Sequence, residues 1–211
     1  LFAGVRFLSA GIITLIISFF KNKDIKINST MDFLWLILYG AVNTGFHYFC
    51  FYMGLSNCSG SKASIIDSLG TFWLIFLAAI IFKEKINANK FGFSGIVIAN
   101  FTTDLIGGLS FNGEGFLLIS TFCAAFGGVI TRVVTVNRKI SVIKATGYGL
   151  SIGGIMLLTG GIVLGGSVER ITLKGIFVMA GLVCISVIGF VLYNQLLSYN
   201  PVGQIAIFNA L

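Results

Sequence analysis

Long apolar runs constrain this chain more than any other feature. A helix needs about 20 apolar residues to cross the hydrocarbon core of a bilayer. Seven stretches meet that length, near residues 1–20, 33–55, 63–82, 91–110, 115–136, 145–166 and 175–197. An eighth opens at Pro201 and is too short to span before Leu211. Only 10% of the 211 residues are charged and 56% are hydrophobic, with a mean hydropathy of +0.99. A soluble domain carries about 25% charged residues. A water-soluble enzyme, a nucleic-acid-binding domain and a disordered tail are thereby excluded. The formal net charge of +7 is read as loop charge rather than a nucleic-acid footprint. The chain begins at Leu1 rather than Met, so the expectation is a segment of a longer protein.

Loop charges set an expected orientation. The first gap carries Lys21, Lys23 and Lys26, the third Lys83, Lys85 and Lys90, the fifth Arg132, Arg138, Lys139 and Lys144. The second gap has Lys62, the sixth has Arg170 and Lys174, and the fourth and seventh have none. Ten cations in odd gaps against three in even gaps place the odd gaps in the cytoplasm. Gap seven, Ser198–Asn200, casts no vote.

The chain also repeats. At a shift of 142 residues, Ala3, Leu8, Ser9, Gly11, Ile13 and Leu15 fall on Ala145, Leu150, Ser151, Gly153, Ile155 and Leu157. In the same register Leu55, Ser56, Ile65 and Leu69 fall on Leu197, Ser198, Ile207 and Leu211. Spans one and six then correspond, giving five spans per repeat. An odd number of crossings inverts the second copy, which is an organisation typical of transporters. Glycines inside spans, such as Gly40, Gly153 and Gly154, suit close helix packing in lipid.

Three segments carry a family resemblance: FHYFCFYMGLSNCSGSKASIIDSL at Phe46–Leu69, FKEK at Phe82–Lys85, and YNQLLSYNPVGQIAIFN at Tyr193–Asn209. In order and spacing they resemble the EamA-type permeases of the drug/metabolite transporter superfamily. The resemblance implies ten helices with both ends in the cytoplasm, of which this chain holds helices two to eight and part of nine. The repeats divide as 1–111 and 112–211. The expected fold is an all-α polytopic membrane protein, an inverted repeat of five-helix units with about seven and a half transmembrane helices present. A proline often found in helix four of such proteins is replaced here by Gly70 and Thr71. The resemblance also singles out Glu84, which physically reads as an interface residue reaching another loop.

Ionisable groups inside spans are costly and mark functional candidates. They are Arg6, His47, Asp67 and Asp104. At 1.5 Å per residue all four lie about 21–24 Å from the cytoplasmic end of their spans, which suggests one charged level. Arg6 is expected to pair with a carboxylate, as a structural ion pair or within a substrate site. His47 is either a satisfied polar residue between helices or a proton-coupling group. Asp67 is the sharpest candidate for contact with substrate or proton. Tyr48, Trp73, Asn43 and Asn209 are further candidates for the pathway. Tyr148, Tyr193 and Asn194, with Gln195, lie near cytoplasmic helix ends and read as an interfacial belt or an inner gate.

Cys50, Cys58, Cys123 and Cys184 form no CxxC, and His47 is the only histidine, so neither a disulfide framework nor a multi-histidine metal site is expected. No cofactor is expected, and there is no GxxxxGK[ST] motif for nucleotide. The expected function is secondary transport of a small polar metabolite or drug-like amine by alternating access, in the export direction, across a bacterial plasma membrane. The expected partners are the lipid bilayer, the substrate and protons, without nucleic acid. The rival readings are an intramembrane enzyme using His47, Asp67 and Asp104, and a non-transporting sensor or scaffold.

Overall fold

The computed structural model describes residues 1–22, 26–27, 29–84, 111–167, 172–202 and 204–205. The expected fourth span, 91–110, and Asp104 within it lie outside the described residues. The described residues are helical and include no strand. They form α1 (Phe2–Asn22), α2 (Thr30–Gly40), α3 (His47–Ser56), α4 (Gly60–Phe82), α5 (Phe116–Arg132), α6 (Val142–Val163) and α7 (Leu173–Tyr199). Wider π turns join or extend them at Ala41–Phe46, Phe111–Gly115 and Val133–Asn137. Helical runs at Phe2–Lys21, Gly60–Phe82, Phe111–Asn137, Val142–Val163 and Leu173–Tyr199 are long and apolar enough to cross a membrane. The run from α2 through its π turn into α3 is of similar length. It carries Asn43, Thr44, His47 and Tyr48 near its middle, which makes it more polar than the others.

The element boundaries repeat as the residues do. Helix α1 begins at Phe2 and α6 at Val142; the α2–α3 run begins at Thr30 and α7 at Leu173; α4 begins at Gly60, and helical backbone resumes at Val202.

Two compact units result: Leu1–Phe46 with Ile130–Ser198, and His47–Val129 with Tyr199–Leu211. Each draws on both sequence repeats. The first is organised by α1 against α6. Leu1 meets Gly161, Gly4 meets Leu158, Leu8 meets Gly154, Gly11 meets Ser151 and Leu15 meets Gly147. Positions on α1 advance by alternating steps of three and four while those on α6 fall by the same steps. That is the seam of an antiparallel coiled-coil-like pair, with a small residue facing a leucine at nearly every level. A Cβ at Gly4 would lie 2.6 Å from the Leu158 backbone nitrogen, and one at Gly161 2.6 Å from that of Leu1. Lipid is as apolar as leucine, so close van der Waals approach has to supply the attraction that water supplies elsewhere.

Helix α2 packs on the adjacent face of α6. Gly40 meets Gly149 and Thr44 meets Gly153, so both helices climb in the same direction. At the shared end Arg138 Nη1 lies 3.3 Å from Asp32 Oδ1, and Lys144 donates to the Lys26 carbonyl. Gaps one and five therefore meet on one side, as the charge alternation requires.

In the second unit α3 runs antiparallel to α5. His47 meets Ser120, and Gly54 meets Leu117 and Gly113. Ala63, Ile66 and Leu117 form a buried cluster flanked by Phe51, Cys58 and Ile65. Lys83 ends α4 in the left-handed conformation, with φ of 52°. The following Glu84 accepts from the Val202 backbone N–H at 3.0 Å, capping the helical turn after Pro201. This contact ties the uncharged seventh gap to the lysine-bearing third gap.

The seam is testable in detergent. Gly154→Ala drives a methyl into the Leu8 backbone and should cost about 1–3 kcal/mol, read as a lower melting temperature. Gly189→Ala has nothing within 4 Å of the added carbon and should melt like the parent.

Candidate functional site

The second unit holds the densest set of polar and aromatic candidates. The π turn Ala41–Phe46 ends immediately before His47; such turns widen a helix and recur at functional positions. His47 Nδ1 lies 2.9 Å from the Ser120 carbonyl oxygen and 3.0 Å from Ser120 Oγ. A carbonyl only accepts, so the ring proton is assigned to Nδ1. Ser120 Oγ in turn donates to the His47 carbonyl at 3.2 Å. The two residues thus lock α3 to α5 reciprocally. With Nδ1 committed, the lone pair of Nε2 is left without a partner among the described residues.

Aromatic rings surround this lock. Tyr48 meets His47 edge-on at 4.5 Å between centroids, and Phe51 and Tyr52 follow on α3. Trp73 on α4 meets Phe122 on α5 edge-on at 5.4 Å. Gly70, one turn before Trp73, approaches Thr121 closely enough for a Cβ to sit 3.8 Å away. Asp67 lies on the same helix one turn before Gly70, with its side chain exposed and no hydrogen bond or ion pair among the described residues. A carboxylate in an apolar span has to face water, a partner or a ligand.

At the far end of this unit Glu114 is buried and lies 3.4 Å from Lys62 Nζ, with Cys58 Sγ at 3.8 Å. Burial pushes the Cys58 thiol up from its ordinary range, and the Glu114 carboxylate adds to the shift. That pair joins gap two to the start of α5.

In the first unit Arg6 has no carboxylate partner among the described residues, and Asp104, one of the two expected partners, lies outside them. Its Nε donates to Ser186 Oγ at 2.9 Å, and its guanidinium lies 4.6 Å from the Phe7 ring centre. Ser186 is the midpoint of α7, so a hydroxyl and a ring hold Arg6 against the middle of that helix. Asn194 belongs to neither an exposed belt nor a water-facing surface. It is buried and donates to Tyr39 Oη at 2.8 Å and to Thr146 Oγ1 at 2.9 Å. Thr131 also hydrogen-bonds Tyr39. Helices α2, α5, α6 and α7 are thus joined by one polar network near the lysine-rich end. Tyr193 and Tyr148 flank it, both half-buried, while Gln195 is exposed.

Ser120, Ser186, Tyr39, Thr131 and Thr146 were not singled out from the sequence. Hydroxyls in spans usually bond their own helix, as Thr14 does to Ala10, so residue type carries no signal. Asp104 and Asn209 lie outside the described residues.

Asn194→Leu leaves Tyr39 and Thr146 without their shared donor. It should cost about 1–2 kcal/mol of stability, since hydrogen bonds between membrane helices are individually modest. Gln195→Leu, on the exposed face of the same helix, should leave the melting temperature unchanged.

No curated protein matches the chain. A model of the EamA-like transporter family matches it twice, over residues 1–101 and 111–211. The two matches follow one another along the chain, α1 lying in the first and α6 in the second. This all-α, multi-pass membrane chain belongs to the EamA-like transporter family.

Proposed function

We propose that the protein is a secondary transporter that exports a small polar, amine-bearing metabolite across a bacterial plasma membrane by alternating access. The observation that carries the reading is Asp67, an exposed carboxylate within an apolar span with no partner among the described residues. An unpartnered anion at that depth is costly to maintain, and an ammonium-bearing substrate or a proton is its natural occupant. His47 supports the same reading. Its Nδ1 is tied to Ser120, and its Nε2, without a partner among the described residues, accepts an N–H donor or a proton. Tyr48 and Trp73 supply ring faces, on which cations bind by attraction to the π quadrupole.

Protons are the coupling ion in this account, taken up by Asp67 or His47 in alternation with cargo. The Tyr39–Asn194–Thr146 network, flanked by Tyr148 and Tyr193, serves as the inner gate. It sits near the lysine-rich helix ends and joins helices that have to part for the pathway to open inward. Members of the family are transporters, and nothing in this set resembles the motifs of a membrane metalloprotease or serine hydrolase.

Asp67→Asn keeps shape and removes charge. In liposomes containing the full-length protein, it should reduce pH-driven amine flux about tenfold or more, with folding and expression retained, a loss of about 1.4 kcal/mol or more in coupling. Normal flux of every substrate across the pH range by Asp67→Asn would return Asp67 to a structural role.

A further inference from the structure

Arg6 is held in a way that leaves its most selective part unused. Nε donates to Ser186 Oγ, and that hydroxyl donates its own proton to the Leu182 carbonyl at 2.8 Å. The Ser186 hydroxyl is therefore committed on both sides. The guanidinium leans on Phe7, which is fully buried and braced edge-on by Phe190 at 5.9 Å. One edge of the guanidinium plane is fixed by these contacts. The terminal amines Nη1 and Nη2 have no partner among the described residues. They belong to a side chain that is half-buried rather than fully enclosed.

Depth restricts what can reach them. Ser186 is the midpoint of α7, so it lies about 20 Å from either helix end at 1.5 Å per residue. A lipid headgroup stays at the interface, about 15 Å from the centre of a 30 Å hydrocarbon core. A guanidinium at mid-depth is costly unless its donors are satisfied. Its two terminal amines point the same way in one plane, the geometry that takes both oxygens of a carboxylate at once.

We propose that the terminal amines of Arg6 form a carboxylate-binding position for the transported metabolite, pre-set by Ser186 and Phe7. The inference rests on the transport reading above, because only cargo passing through the protein reaches this depth. It adds a carboxylate requirement to the amine. Arg6 is then the residue that separates carboxylate-bearing cargo from simple amines, and Ser186 is a positioning residue.

The test uses amino acids and the amines left by their decarboxylation: leucine with isopentylamine, phenylalanine with phenethylamine, lysine with cadaverine. Melting of the detergent-solubilised full-length protein reads binding, and tracer flux in liposomes reads transport. The carboxylate member of at least one pair should raise the melting temperature at concentrations where its amine does not. Arg6→Gln should remove that shift and lower the preference for the carboxylate member about tenfold or more. Arg6→Lys keeps the charge without the fork and should fall between, and it carries the comparison if Arg6→Gln does not fold. Binding lost in Arg6→Gln without flux in the parent would uphold the carboxylate position and overturn the transport reading. Amine flux in the parent with no response to any carboxylate would do the reverse. An unchanged carboxylate preference in Arg6→Gln overturns the inference. So does restoration of the lost shift in Arg6→Gln with Asp104→Asn, which would make Arg6 one half of an internal ion pair.

Discussion

Within the first unit, much depends on how closely α1 and α6 approach. No water is present in the bilayer core to drive two apolar helices together, so attraction has to come from contact area alone. Glycine at alternating levels brings the backbones within reach, and leucine from the opposite helix fills each hollow. A methyl at any of these glycines would meet a neighbouring residue rather than empty space. Because the two helices are equivalent under the sequence repeat and run in opposite directions, this seam is also where the inversion of the repeats is written into packing. Helix α2 then reads its direction from α6 through Gly40, Gly149, Thr44 and Gly153.

Loop contacts follow from the same geometry. Asp32 with Arg138 and Lys26 with Lys144 join gaps one and five. Lys62 with Glu114 joins gap two to the start of α5, and Glu84 with the Val202 N–H joins gaps three and seven. Each pairing links gaps of the same parity. The exposed Asp32–Arg138 pair contributes little energy in itself. Its value here is topological, since a wrong crossing would bring the wrong charges to one side.

Much of this was legible in the residues. Span lengths follow from apolar runs, the shift of 142 from Leu8, Ser9 and Gly11 recurring as Leu150, Ser151 and Gly153, and the meeting of gaps one and five from their shared excess of cations. Rise per residue converts sequence distance into height and put Arg6 deep within its span, but height says nothing about which way a side chain turns, and its hydrogen bond to Ser186 had no sequence signal. Asn194 shows the same limit: proximity to a helix end suggested an interfacial belt, yet its facing buries it against Tyr39 and Thr146. Ser120 was invisible because hydroxyls in spans usually bond their own helix, so nothing in its residue type announces a contact with His47.

Inversion is the claim on which the fold and the proposed mechanism both stand, and equivalent residues test it directly. Asn22 ends α1, and Leu164, its counterpart under the repeat, follows α6. In the full-length protein with its native cysteines replaced, Asn22→Cys and Leu164→Cys would each be exposed to a membrane-impermeant thiol reagent, first in intact cells and then in opened membranes. The account predicts that Leu164→Cys reacts in intact cells and Asn22→Cys only after the membrane is opened. Reaction of both from the same side would contradict it.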